Sequence, residues 1–250
     1  MKQSSHLKLE QRDEIIDCFS RDLPALQTEG ETKIHRNTVN RWYRIFRQLI
    51  WNSLEKKPRF KGEIEMDQGF YGKKRRPRKS KKKRAFKRGL NYGILVPEFR
   101  GKKVVEKRED DLMQVFVIAQ RVKNPKMGQK KARIYVHPVR KGNRDTLIPI
   151  VHLIVAGKST IYTDGHRVFD KLKESGYKHQ VVLKGKKNPT GVHTASVDNF
   201  FSWSKARLRA FKGIPRHTIH LHIKECEWRY NLLKGPKFIE IALRNLLKIS

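Results

Sequence analysis

The sequence predicts a layered α/β domain with a partly parallel sheet, preceded by a small all-α unit. Three observations predict this. The chain has 250 residues, of which 37% are hydrophobic, enough for one good core and a small second domain. From residue 62 the segments run three strands, helix, strand, helix, strand, helix. Before residue 56 two stretches, 8–22 and 37–50, show helical apolar spacing.

In the N-terminal unit, residues 8–22 place Ile15, Ile16 and Phe19 at helical spacing. Residues 37–50, NTVNRWYRIFRQLI, carry a fuller stripe of Val39, Trp42, Tyr43, Phe46 and Ile50. Asn37 or Thr38 is the expected N-cap. Asn40, Arg41 and Arg44 lie off the stripe. A short helical unit whose last helix is basic and amide-bearing at its start reads as a helix-turn-helix that contacts DNA. The competing reading is a basic helical hairpin that only packs on the rest of the protein.

The division expected is a helix-turn-helix domain over 1–55, a polar linker over 56–61, an α/β domain over 62–235 and a C-terminal tail over 236–250. A basic insertion at about 72–111 interrupts the α/β domain. Its GEIEMD strand (62–67) alternates Ile64 and Met66 with Glu63, Glu65 and Asp67. Further strands are read at 112–122 and 132–139. A helix follows from about Asp145, taken as its N-cap, with Pro149 in its first turn. Residues 159–165 (STIYTDG) read as a short strand, 166–176 as a helix stopped by Gly176, and 177–183 as another strand. Two more helices are read at 194–212 and 217–231.

Composition narrows the partners. The net charge is +34. Self-repulsion of that size opposes compaction unless something anionic answers it, and nucleic acid answers it best because each neutralised phosphate releases a counterion. Residues 73–88, KKRRPRKSKKKRAFKR, hold 12 Lys and Arg and no acid. The run includes Lys73, Lys74, Arg75, Arg76, Lys81, Lys82, Lys83 and Arg84. Such a run reads as a phosphate-tracking arm that positions without specifying sequence, or as a merely solvated basic patch. No stretch is apolar enough to span a membrane, and the first residues lack a secretory pattern. Two cysteines, Cys18 and Cys226, make no disulfide framework, which favours a reducing, cytoplasmic setting.

Acidic residues are scarce, so their placement is informative. Asp67 closes one strand, Asp164 closes another, and Asp198 lies on a helix beside its apolar side. Lys205, two turns on, shares the face of Asp198. Carboxylates converging on one sheet edge would hold a pair of divalent cations for phosphodiester chemistry, and all-oxygen ligands suit Mg²⁺ or Mn²⁺. The bland reading is three ordinary surface or capping carboxylates.

Four segments then resemble one family. GEIEMDQGFYG resembles the GEIEMDESYFGG signature of IS1595/ISXO2-like insertion-sequence transposases. STIYTDGHRVFDKLKESGYKH is similar to the family's TVYTDGWRAYDGLAALGYRH. His193 to Asn231 resembles its third motif and the helices after it, with FKGIP and KECEWRYN nearly as the IS1016-like branch has them. The resemblance implies an RNase H-like catalytic fold and DDE-type, metal-dependent DNA cleavage and strand transfer. It implies Asp67, Asp164 and Asp198 as catalytic and metal-holding residues, with Lys205 as a DNA contact. Mg²⁺ or Mn²⁺ is the implied cofactor. Terminal inverted repeats and target DNA are the implied partners, with a homo-oligomer on DNA and no membrane. In a bacterium the protein would be nucleoid-associated. This sequence departs from the family in four places: Asp198 stands where Glu is usual, Gln68 replaces a Glu, Phe201 replaces a Trp, and residues at about 72–111 form a longer and more basic insertion than the family's short Gly/Lys/Arg stretch. A decayed or domesticated DNA-binding protein and an RNase H-like nuclease are the alternative readings.

The remaining polar residues read as structural. His217, His220 and His222 near Cys226 match no zinc spacing. His193 is a candidate contact to a phosphate or water near the carboxylates. Glu109, Asp110 and Asp111 read as a local answer to the basic arm. Trp228, Arg229 and Tyr230 are expected to pack the last helix on the sheet.

Overall fold

The computed structural model describes residues 7–54, 59–72, 112–122, 132–183, 188–189, 191–211, 213–232 and 235–249. The basic run at 73–88 and the Glu109–Asp111 cluster lie outside the described residues.

Three helices open the chain: α1 (Leu9–Ser20), α2 (Ala25–Thr32) and α3 (Arg36–Ser53). The N-cap of α3 is His35, whose Nδ1 accepts from the Asn37 amide, so neither Asn37 nor Thr38 caps it. The α3 stripe is buried as the spacing requires, together with Arg47. Asn40, Arg41 and Arg44 are exposed on the opposite side.

Five strands follow: β1 (Glu63–Tyr71), β2 (Met113–Arg121), β3 (Ala132–Val139), β4 (Thr160–Thr163) and β5 (Lys178–Val181). Their order in the sheet is β3-β2-β1-β4-β5. The first three are antiparallel neighbours, while β1–β4 and β4–β5 are parallel. Helix α4 (Arg144–Ile154) connects β3 to β4, and a 3₁₀ turn (Arg167–Leu172) connects β4 to β5. This mixed five-stranded sheet flanked by helices is compatible with an RNase H-like domain.

Three local expectations need correction. β1 runs on to Tyr71 and β4 stops at Thr163, so Asp67 lies inside its strand and Asp164 just past its own. Helix α4 starts at Arg144 behind Asn143, whose side chain holds the Thr146 hydroxyl at 2.6 Å, so Pro149 falls in the second turn. The segment after Asp164 forms only the 3₁₀ turn, because Phe169 and Leu172 are all that it buries.

Each face of the sheet has its own core. One packs Ile64, Met66, Phe116, Ile118 and Ile161 against Leu147, Val151 and Ile154 of α4. The other packs Val115, Val117, Ala119, Ile134 and Val136 against α5 (Ala195–Arg209) and α6 (Ile219–Leu232). Residues 236–250, set apart as a tail, form α7 (Pro236–Ile249), whose Ile239 and Leu243 join a third core with α1, α3 and Trp228.

Helix α6 explains the KECEWRYN segment almost residue by residue. β3 is a sheet edge, and unpaired edge groups need partners. Glu227 accepts from the Val136 amide at 3.0 Å, and Asn231 bonds both the amide and the carbonyl of Ile134. Cys226 and Tyr230 enter the sheet core, whereas Trp228 enters the helical core. Arg229 donates to the Phe19 carbonyl at 2.6 Å. Only Tyr230 of the trio Trp228, Arg229 and Tyr230 therefore packs on the sheet.

Glu225 centres a buried ionic knot. It accepts from Arg47 of α3 at 2.7 Å, Arg207 of α5 at 2.5 Å and Arg229 at 2.7 Å. Arg207 also meets Asp22 at 2.6 Å. Burial opposes ionisation of Glu225, and the guanidinium groups of Arg207, Arg47 and Arg229 overcome it, holding the carboxyl well below the usual carboxylate range. His222 lies beside the knot, and its buried Nδ1 has no hydrogen-bond partner among the described residues. Burial, then the charges of Arg47 and Arg207, push its pKa down to about 3.

Candidate active site

Strand β1 presents acidic residues to the face covered by α5. Directly opposed residues share a face, and Asp67 lies opposite Val117 of the α5–α6 core. The period of two puts Glu65, Asp67 and Gly69 on that same side. β1 runs parallel to β4 with Glu65 beside Tyr162. The pairing ends there; if continued by two residues, the same register would bring Asp164, just past β4, level with Asp67.

Both aspartates are half-buried. The Asp67 carboxylate accepts from the Gln68 amide at 2.7 Å, and Asp164 accepts from the His166 amide at 3.3 Å. Gly165 has φ +79°, which favours glycine at this turn out of β4.

Asp198 lies in the first turn of α5 and is exposed. Its Oδ2 accepts from the Thr194 hydroxyl at 3.2 Å. Thr194 is the N-cap of α5, yet its side chain makes no cap bond. Glu65 does that work from β1. It accepts from the Ser196 amide at 2.7 Å, the Ser196 hydroxyl at 2.9 Å and the Val197 amide at 3.3 Å. An anion at a helix start satisfies free amides and complements the helix dipole.

Arg121, at the end of β2, completes the arrangement. It donates to Glu65 at 2.6 Å, and to the carbonyls of Gly191 and His193 at 2.7 Å each. Its guanidinium stacks 4.2 Å from the Tyr162 ring centre. His193 has its Nδ1 3.5 Å from Glu65, so it faces this cluster. Sequence reasoning missed both Glu65 and Arg121. The period of two does put Glu65 on the side of Asp67, but no local pattern links it to residues about 130 positions away.

A second close approach holds α5 down. Gly69 lies under Phe201, and a Cβ at 69 would collide with that ring. Further along the helix, Lys205 extends over the rings of Phe201 and Tyr71, with Nζ 5.3 and 5.8 Å from their centres. Tyr71 is hydrogen-bonded to Ser204, and burial pushes its hydroxyl pKa upward.

The donor chemistry of Asp67, Asp164 and Asp198 is all hard oxygen, which fits Mg²⁺ or Mn²⁺. Among the described residues, no three His, Cys, Asp or Glu side chains stand close enough together to hold one ion. The structure thus places Asp67 on β1, Asp164 just past the end of β4 and Asp198 on the helix over the same face of β1, without bringing the three carboxylates together.

Residues 59–231 match the ISXO2-like transposase domain. The chain belongs to that transposase family. A stretch of 123 residues is also 33% identical to a protein of Haemophilus influenzae (strain ATCC 51907 / DSM 11121 / KW20 / Rd) described as an "Uncharacterized transposase-like protein". The match covers 48% of this chain and 98% of that protein. In this transposase-family chain the domain match runs from β1 into α6 and includes Glu65, the three aspartates and Arg207, Glu225 and Arg229 of the ionic knot, while Arg47 and Asp22 lie before it. Among the described residues no helix is long and apolar enough to cross a membrane.

Proposed function

We propose that this chain is the DNA transposase of an insertion sequence, with an RNase H-like catalytic domain of the DDE type. The observation that carries the reading is the placement of Asp67 on β1 and of Asp164 just past the end of its parallel neighbour β4, with Asp198 on the helix packed over that face of β1. Asp67, Asp164 and Asp198 would hold Mg²⁺ or Mn²⁺. When bound, such ions stabilise charge on the attacking and leaving oxygens of an in-line phosphoryl displacement.

The chain's own residues supply positioning. Asp67 stands on a strand fixed by ladder hydrogen bonds and Asp164 directly follows one, which suits ligands that must not drift. Lys205 is exposed two turns beyond Asp198 and would meet a DNA phosphate near the site. On α3, Asn40, Arg41 and Arg44 form an exposed polar face that would read the terminal inverted repeats. The 73–88 arm would track phosphates of repeat or target DNA. Joining two element ends calls for a homo-oligomer on DNA.

A second reading, a DNA-binding relative without strand transfer, is favoured by the shorter Asp198. The deciding experiment joins a pre-cleaved terminal repeat to plasmid with Mg²⁺. Joining by the unaltered protein that is lost in Asp67→Asn and in Asp164→Asn, with repeat binding kept, supports the transposase. Binding without joining supports the second reading, and joining that persists in Asp67→Asn removes the two-metal assignment.

A further inference from the structure

We infer that Glu65, held by Arg121, is a positioning residue that ties Asp198 to the strand carrying Asp67. The inference rests on the reading of those aspartates as metal-holding groups.

A fully buried carboxylate is costly to desolvate, so its place needs a reason. Capping α5 is not reason enough. Thr194 stands at the N-cap and has a hydroxyl suited to that work, but the hydroxyl is turned to Asp198. A local cap would fix the helix end only to its own chain. Glu65 instead bonds the second and third amides of α5 from a position two residues before Asp67 on β1.

The same carboxylate gathers the other parts of the site. Its β4 neighbour is Tyr162, two residues before Asp164. The Arg121 guanidinium stacks on that Tyr162 ring and holds the Gly191 and His193 carbonyls that lead into α5. One buried ion pair therefore connects β1, β2, β4 and the start of α5. Each aspartate lies within three residues of one of its contacts. Groups that orient ligands from behind are worth 10- to 100-fold in metal affinity or activity.

The test is Mn²⁺ binding by titration calorimetry on the full chain, with urea unfolding of each variant alongside. Glu65→Gln is expected to weaken Mn²⁺ binding about 10- to 100-fold. The double variant Glu65→Gln/Thr194→Asn restores a local cap. It is expected to regain stability and not Mn²⁺ affinity. Glu227→Gln alters a carboxylate that is as well buried but braces β3, and it is expected to lose stability while keeping Mn²⁺ affinity. Unchanged Mn²⁺ affinity in Glu65→Gln overturns the inference, as does full recovery of affinity in the double variant, since either leaves Glu65 only a structural cap. Equal Mn²⁺ binding by the unaltered protein and Asp67→Asn, or none by either, overturns the metal assignment itself and this inference with it.

Discussion

Helix α5 joins two acidic regions built on opposite principles. Near its C-terminal end, Arg207 enters the knot around Glu225, where every charge but Asp22 is buried and each guanidinium has a carboxylate partner. At its N-terminal end, Asp198 is exposed and Asp67 and Asp164 are half-buried. The knot uses charge to weld α3, α5 and α6 to one another and to the turn that follows α1. The other end leaves the Asp198 carboxylate exposed to solvent, while Glu65 carries the buried bracing behind it. Rigidity and availability are thus assigned to different carboxylates on one helix and its supporting strand.

The largest expected effect strikes the knot. Glu225→Gln leaves Arg47, Arg207 and Arg229 buried around an uncharged group, and is expected to lose about 3–5 kcal/mol in urea unfolding. Asp198→Asn is expected to change stability by no more than about 0.5 kcal/mol. Comparable losses in the two variants would break the contrast between welded and available carboxylates.

Acid should sharpen the contrast. His222 is neutral in the fold, with its pKa down at about 3, while an unfolded histidine takes up its proton near 6.5. The unfolded state therefore binds the extra proton as pH falls from about 6.5 toward 3. The stability from this group is complete above that window and is lost through it, by about 1.4 kcal/mol per pH unit. His222→Gln is expected to flatten the acid limb of the stability curve between pH 6 and 4. A limb of unchanged slope would mean that His222 is charged or solvated in the fold.

A smaller loss is expected at the Gly69 notch. Gly69→Ala drives a methyl into Phe201 and is expected to cost about 1–3 kcal/mol, the usual range for overpacking. Gly69→Ala/Phe201→Leu is expected to recover much of that loss. Unfolding measurements that show no change in Gly69→Ala would mean that α5 is free to lift from β1.

Periodicity made much of this architecture legible. The apolar runs of β2 and β3, the alternation in β1 and the stripe of α3 are local patterns, and tertiary packing agrees with them. Helix α2 was not legible because it buries only Thr28 and carries no stripe. The α7 pattern was present in Ile239, Ala242, Leu243 and Leu246, but its partner surface on α1 and α3 is some 200 residues earlier. Asp67 and Asp164 stand out in sequence because the strand patterns read there stop at them, although β1 itself continues to Tyr71. Glu65 does not, because its meaning comes from Ser196, Val197 and Arg121. The Arg47–Glu225 pair spans 178 positions, so only the fold discloses why α3 buries an arginine.

The most direct test of the central claim is the joining of a pre-cleaved terminal repeat to plasmid with Mg²⁺, comparing Asp198→Asn and Asp198→Glu with the unaltered protein. If α5 delivers Asp198 as the third carboxylate, Asp198→Asn abolishes joining. The longer side chain in Asp198→Glu then raises it, on the order of 10²-fold for about 1 Å of recovered reach. Joining by Asp198→Asn at the unaltered rate would contradict the claim and leave α5 with no part in the chemistry.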